Sequence, residues 1–316
     1  MRALIFGITG QDGSLLAHLL LSKGYKVFGV SRNYSNANNR NLELLGIESD
    51  IQVLSVNTLN LEEVKLVIQN VRPSEIYNLG GQTSVSDSFR NPHETFKSIF
   101  QISLNILESI KEIDTEIKFL NPSSIECFGS TKQKRVLTEN SKFYPLSPYA
   151  MAKYCTHNLA KNYRKNYGIY VSTAILSNHE SILRGPNFVT KKIIDSAYQI
   201  SIGKQNVLEI GDASIVRDWG CAEEFVEAMY LMLQLDAPTD LIIATGKSIS
   251  LDTFVNYVFQ KFKLDPSKFV KKNKMFVRTN ENKKVYVNPA RANNILNWKA
   301  KSDVFAVIDK IILKYI

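Results

Sequence analysis

The sequence predicts an α/β protein with a doubly wound parallel sheet, and three observations predict it. Short β-branched runs alternate with helical stretches through the first half of the chain. A turn of spaced glycines follows the first of those runs and opens a helix. The 316 residues suffice for one large core or two unequal lobes sharing a cleft.

The elements follow in order. Leu4–Phe6 reads as a strand, then a glycine-rich turn, then a helix to about Ser22. Lys26–Val30 and Ile51–Val56 are the second and third strands. Leu61–Asn70 has helical spacing, and Glu75–Leu79 is the fourth strand. A long helical stretch covers Glu94–Lys111 before a fifth strand at Ile117–Asn121. Ser147–Tyr167 reads as a helix with Pro148 in its first turn, where the missing N–H costs nothing. Val171–Leu176 is the sixth strand. Beyond residue 177 the pattern turns irregular, as in Asn178–Asn187, and suggests a smaller lobe over the strand ends, where doubly wound sheets bind ligands.

Composition narrows the class. Hydrophobic residues make up 44% and charged residues 22%, as in ordinary globular proteins. No apolar run is long enough for a membrane span, and the chain enters its first strand at once, leaving no room for a signal peptide. Three cysteines (Cys127, Cys155, Cys221) show no zinc or redox spacing, which fits a reduced cytoplasmic compartment. The four histidines are scattered, so no metal site is expected. Net charge is +9, of which +7 falls in residues 261–284. Such a run is ordinarily a solvated face, and its functional reading is attraction of an anion such as a diphosphate. Aromatics are not interleaved with it as a stacking platform, which argues against nucleic acid.

The glycine turn is Gly7-Ile8-Thr9-Gly10-Gln11-Asp12-Gly13. Gly7 suits a tight turn, Gly10 lets backbone approach a pyrophosphate, and Gly13 permits close helix–strand packing. Free N–H groups at the helix start then face the phosphates. This is the dinucleotide-binding, Rossmann-type arrangement. The second strand ends at Val30-Ser31-Arg32-Asn33, with Arg32 where an NAD site has a carboxylate and with no carboxylate nearby in sequence. Arginine there pairs with a 2′-phosphate, which favours NADP.

Tyr149 and Lys153 lie four residues apart on one helix face. An ammonium beside a phenol, with an oxidised nicotinamide adding positive charge, can pull the tyrosine toward neutrality as acid or base. Ser123-Ser124 ends the fifth strand, where a hydroxyl can bond a sugar oxygen and the tyrosine. Glu126 follows two positions later. Simple oxidation of a sugar carbon needs only tyrosine, lysine and serine. A carboxylate beside them permits removal of a proton alpha to a newly formed ketone. The plain alternative is a loop carboxylate facing water.

With these residues in place, the chain resembles the GDP-mannose 4,6-dehydratase family of extended short-chain dehydrogenase/reductases. The matching segments are Gly7–Ser14, Ser147–Lys153, Asn178-His179-Glu180-Ser181, Arg184–Thr190 and Arg217-Asp218-Trp219-Gly220. The resemblance implies oxidation at C4 by NADP⁺ while Tyr149 takes the hydroxyl proton, removal of the C5 proton by Glu126, loss of water from C6, and hydride return to C6. Ser124 stands where the family has threonine. The cofactor residues it implies are Gly7, Thr9, Gly10, Gln11, Asp12, Gly13, Arg32, Asn57, Leu79, Gly80, Leu176, Asn178, His179 and Arg184, with Tyr149 and Lys153. The GDP-sugar residues it implies are Ser84, Asn178, Asn187, Val189, Lys192, Arg217, Arg278 and Glu281. Residues 1–176 with about 212–245 are the expected NADP-binding domain; 177–211 and 246–316 are the expected sugar-nucleotide lobe. A homodimer or homotetramer is implied.

The chain departs from the family at several points. The segment after Arg32 is short, Asn33 replaces a second arginine, Asn57 replaces an aspartate, and Gly80-Gly81-Gln82 follows the pattern loosely. A GDP-manno-heptose or GDP-N-acetyl sugar therefore stands beside GDP-mannose. An NADPH-dependent reductase or epimerase would keep Tyr149 and Lys153 without needing Glu126, and a non-enzymatic scaffold would need neither of the pair.

Overall fold

The computed structural model describes residues 1–32, 39–129, 136–277 and 282–315. Seven strands form one sheet: β1 (Arg2–Phe6), β2 (Lys26–Ser31), β3 (Gln52–Ser55), β4 (Glu75–Asn78), β5 (Lys118–Ser124), β7 (Val171–Leu176) and β11 (Asp240–Ile243). Their order is β11-β7-β5-β4-β1-β2-β3, and every pairing is parallel. The order reverses between β1 and β4, the switch point past whose carboxyl strand ends doubly wound sheets bind their ligands.

Alternation along β1 explains why both faces are covered. Ala3 and Ile5 join one core with Leu16 and Leu20 of α1 (Gln11–Ser22) and Phe225 and Met229 of α9 (Ala222–Leu233). Leu4 and Phe6 join the other with Val64 and Ile68 of α3 (Leu61–Val71) and Ile106 and Ile110 of α6 (Ile102–Ile113). Period two in the strand against 3.6 in the helices gives each face its own apolar layer. Burying each such side chain contributes about 1.5–3 kcal/mol. Asn60 caps α3 by accepting from the N–H groups of Glu62 and Glu63.

Between β1 and β5 the chain also forms α2 (Arg40–Leu44), α4 (Val85–Arg90) and α5 (Pro92–Phe96). A π-turn at Lys97–Gln101 joins α5 to α6, so the expected Glu94–Lys111 helix is one rod with a bulge. The bulge meets the loop after β4: Ser98 Oγ accepts from the Gln82 N–H at 3.2 Å. Such bulges gather at functional sites.

The irregular region expected after residue 177 contains ordered elements. They are β8 (Asn178–Glu180), α8 (Val189–Ser201), β9 (Leu208–Ile210), β10 (Val216–Cys221), β12 (Ser248–Ser250), α10 (Leu251–Lys261), α11 (Pro266–Phe269) and β13 (Val270–Lys272). After them come β14 (Tyr286–Val287), which pairs with β6 (Val136–Leu137), then α12 (Ala290–Leu296) and α13 (Val304–Ile312). β12, β10 and β8 form a small sheet. Its core, with Trp219, Phe254, Phe259 and Ile308, is separate from the two cores of the large sheet. β11 is the seventh strand that sequence reading missed: Leu241-Ile242-Ile243 is too short an apolar run to type by periodicity. α12 packs back on the large-sheet core through Ala292 and Leu296.

The fifth strand runs to Ser124, three residues past its expected end at Asn121. It therefore carries Pro122 inside a sheet. This is tolerated because pairing with β4 stops at Leu120, whereas pairing with β7 continues to Ser124–Leu176. Past Leu120 the strand has one neighbour, and a carbonyl there is free for a side chain.

Candidate active site

The glycine turn folds as its spacing demands. Gly7 has φ +79°, and a Cβ on it would lie 2.6 Å from the Gly80 nitrogen. A Cβ on Gly13 would overlap the Gly7 carbonyl and reach within 2.9 Å of Ile8 Cα. Only backbone surrounds Gly13, so nothing there can yield. Gly13→Ala is expected to destabilise the fold by about 3 kcal/mol, read as a lower denaturant midpoint. α1 starts at Gly10 without a side-chain cap, so its N–H groups remain for an anion.

β8 braces this turn. His179 Nε2 lies 2.9 Å from Asp12 Oδ2, and Nδ1 lies 2.8 Å from the Ser177 carbonyl. Gln11 donates to the His179 carbonyl at 3.2 Å, and the Ser181 hydroxyl donates to Gln11 Oε1 at 3.0 Å. Burial alone would push Asp12 up, but His179 and its hydrogen bond outweigh it and hold the carboxyl at about 2. Burial likewise opposes the His179 charge, and Asp12 overrides it, so the imidazolium is favoured.

These shifts define a pH window. The His179 contribution is complete below 6.5, its unperturbed value, and is lost as pH rises through the higher folded value. The Asp12 contribution is present above 3.8 and is lost as pH falls through about 2. His179→Gln should therefore cost most between those limits, about 2 kcal/mol. The gap from wild type should narrow above neutrality, as thermal midpoints measured across pH will show.

The candidate catalytic groups sit where β5 meets α7 (Pro148–Tyr167). Ser147 caps α7 by accepting from the Ala150 N–H at 3.1 Å, with Pro148 as the first helical residue. This start sets Tyr149 and Lys153 on the face toward β5. The Ser124 side chain lies beside the Tyr149 phenol and favours its ionised form. Lys153 Nζ donates to the Pro122 carbonyl at 2.9 Å, the group left free by the end of β4 pairing. Burial, at 7% exposure, pushes the ammonium down to about 8. Burial also holds Tyr149 above its usual range, against the Ser124 side chain and the Arg184 charge. This differs from the expected lowering: in the protein alone desolvation of the phenolate outweighs the neighbouring cations.

Glu126 lies on a 3₁₀ turn (Ile125–Phe128) that Ser124 caps, with its N–H donating to Ser124 Oγ at 3.2 Å. Its carboxylate is partly open, 3.7 Å from Arg217 Nε of β10, and its charge acts on Tyr149. Cys127 is buried beside Ser123 at 3.6 Å and the Ala150 carbonyl at 3.5 Å, and burial pushes its thiol up to about 11. Sequence spacing gave no sign of Cys127, Ser177 or Ser181 at the site. They follow from the register of β5 and β8, which a linear pattern does not carry.

The other expected residues have their own local partners. Arg32 pairs with Glu94 at 3.2 Å, so the fold supplies the carboxylate that its sequence neighbourhood lacks. Both partners are mostly exposed, and such a pair contributes little. Asn57 follows β3 and accepts from the Leu59 N–H at 3.2 Å. Leu79 and Gly80 follow β4, the Leu79 N–H donating to the Phe6 carbonyl at 2.9 Å beside the glycine turn. The Thr9 carbonyl accepts from Asn41 at 2.9 Å. Leu176 ends β7, and Asn178 pairs in register with Trp219. Ser84 caps α4. Asn187 is exposed and Val189 opens α8. Lys192 donates to the Glu209 carbonyl at 2.7 Å and lies over the Phe276 ring at 3.8 Å. Arg278 and Glu281 lie outside the described residues.

A doubly wound sheet with a glycine turn at β1, and with serine, tyrosine and lysine at the β5–α7 junction, defines an extended short-chain dehydrogenase/reductase. Solved structures share that fold: a UDP-glucose 4-epimerase from Thermotoga maritima (TM-score 0.88, 22% identity, covering 100% of this chain and 98% of that one) is one. A dTDP-glucose 4,6-dehydratase from Streptomyces venezuelae is another (TM-score 0.89, 18% identity, 100% and 97%). The chain belongs to the GDP-mannose 4,6-dehydratase family, whose family model matches residues 4–311. Among its relatives, GDP-mannose 4,6 dehydratase 1 of Arabidopsis thaliana is 36% identical over 309 residues, covering 95% of this chain and 85% of the relative. GDP-mannose 4,6-dehydratase of Sinorhizobium fredii (strain HH103) is 40% identical over 266 residues, covering 82% and 76%.

Proposed function

We propose that this protein converts GDP-mannose to GDP-4-keto-6-deoxymannose, as an NADP-dependent hydro-lyase. One observation carries the reading: Glu126 stands on the turn capped by Ser124, beside the Ser124 and Tyr149 side chains. A reductase or epimerase needs no such carboxylate. The relatives named above as GDP-mannose 4,6-dehydratases support the choice of sugar nucleotide.

The residues present fit a dinucleotide. The Gly7–Gly13 cradle has no room for a Cβ at either end, and the uncapped start of α1 suits a pyrophosphate. Arg32, Asn57, Leu79, Gly80, Leu176, Asn178, His179 and Arg184 would hold its remaining parts. When bound, the dinucleotide supplies a reversible hydride acceptor, so that the sugar's oxidation and later reduction leave no net redox change. Tyr149 takes the proton of the sugar's 4-hydroxyl, and Ser124 holds that oxygen and the phenol in line. Lys153 supplies the positive charge that favours phenolate as it forms. The 4-ketone acidifies C5; Glu126 takes the C5 proton and delivers it to the departing C6 hydroxyl, which leaves as water, so that a 5,6-double bond remains for the later reduction at C6 and protonation at C5 from solvent. Arg217 balances the Glu126 charge and, with Lys192, Val189, Asn187 and Ser84, would hold the GDP portion.

NADP rather than NAD rests on Arg32. Its pair with Glu94 is exposed and easily exchanged for a 2′-phosphate. Arg32→Ala should weaken NADP binding about tenfold while leaving NAD affinity unchanged, measured by calorimetry. Residues 1–176 with about 212–245 then form the cofactor domain, and 177–211 with 246–316 the sugar-nucleotide lobe. A homodimer or homotetramer in the cytoplasm completes the reading. Exposed Phe89 and Met151 on the adjoining α4 and α7 support self-association, and three free cysteines support a reducing compartment.

The test is incubation of GDP-mannose with enzyme and only catalytic NADP⁺, read by mass spectrometry. A product lighter by one water supports the proposal. Stoichiometric NADPH consumption, or dehydration only of a GDP-heptose or GDP-N-acetyl sugar, overturns it.

A further inference from the structure

Glu180, at the end of β8, is a deeply buried acid that the reaction does not use: it is 3% exposed. Its Oε2 lies 2.9 Å from Arg184 Nε, off the hydrogen-bonding direction, so the contact is an ion pair rather than an aligned hydrogen bond. The guanidinium also lies over the Phe188 ring, whose centroid is 3.6 Å from Arg184 Cζ. The loop between them is set by its own turns, Arg184 N–H to the Ser181 carbonyl at 3.1 Å and Phe188 N–H to the Gly185 carbonyl at 3.3 Å. Residues 180, 184 and 188 thus form a cluster of carboxylate, guanidinium and ring. Among the described residues, neither terminal amino group of Arg184 has a hydrogen-bond partner. Glu180 directly follows His179, whose ring lies 2.9 Å from Asp12, so the Glu180–Arg184 pair sits beside the glycine turn.

We propose that Glu180 is a positioning residue: its buried carboxylate and the Phe188 ring fix the Arg184 guanidinium so that its two amino groups are presented to a phosphate of the bound dinucleotide. The inference deepens the proposed function and rests on it. A buried carboxylate is costly unless paired. A fixed planar fork loses less freedom on meeting a phosphate than a mobile one does. Lysine could not replace it, because a point charge on a flexible stem neither stacks on Phe188 nor forks.

The experiment is a double-mutant cycle on NADP affinity, measured by calorimetry with Glu180→Gln, Arg184→Lys and the double variant. Glu180→Gln alone should weaken NADP binding about tenfold, the loss of one well-oriented charge-assisted hydrogen bond. In the Arg184→Lys background it should add nothing, because its effect passes through the arginine. Equal weakening in both backgrounds would assign Glu180 a general structural role and overturn the inference, as would unchanged affinity in the single variant. Should Glu180→Gln fail to fold, Phe188→Leu tests the same cluster through its ring against the same arginine variant. A wild-type protein that binds no dinucleotide overturns the proposed function itself, a result distinct from either of these.

Discussion

Tyr149→Phe is expected to lower kcat by about three orders of magnitude while leaving the fold and ligand binding intact. The ring is 9% exposed and packs with Ile99 and Ala152, and phenylalanine fills the same space. What disappears is the hydroxyl beside Ser124. Its structural cost is at most one hydrogen bond, about 1 kcal/mol, whereas its catalytic cost is the loss of the group that moves the 4-hydroxyl proton. Steady-state kinetics beside calorimetric titration with a GDP sugar separates the two. A parallel fall in affinity and kcat would mean that Tyr149 shapes the pocket instead of handling the proton.

Glu126→Gln tests a different step. Product formation should fall about 10²- to 10³-fold, but oxidation at C4 should survive because Tyr149, Lys153 and Ser124 are untouched. With enzyme in excess of substrate, nicotinamide absorbance should appear in the first turnover and persist. In D₂O, no solvent deuterium should enter C5. A carboxylate merely exposed on a loop would leave both readouts at wild-type values. Arg217 lies 3.7 Å from the carboxylate, so a stability measurement accompanies the kinetics to separate the base from the ion pair.

Much of this was legible in the sequence because the local signals agreed with one another. The strand–glycine turn–helix at residues 4–22 shows its function in its spacing: Gly7 and Gly13 are dictated by backbone approach, which leaves no alternative residue. Ser147-Pro148 announced the start of α7, and the start fixes which face carries Tyr149 and Lys153. The end of β5 was less legible, since a proline in a strand ordinarily argues against one. It took the staggered lengths of β4 and β7 to explain Pro122 and, with it, the carbonyl that anchors Lys153. β11 was invisible for a simpler reason: four residues cannot show a period. The pairings of Asp12 with His179, Arg32 with Glu94 and Glu126 with Arg217 join residues 62 to 167 positions apart, or bridge lobes, and no window along the chain contains both partners.

The central claim is that one site carries out oxidation at C4, proton removal at C5 and reduction at C6 within a single binding event. GDP-mannose bearing deuterium at C4 tests it directly, with the product's label located by mass spectrometry and NMR. Deuterium is expected in the C6 methyl group, with a solvent-derived hydrogen at C5. Deuterium released into the pool of free nicotinamide, or retained at C4, would contradict that claim.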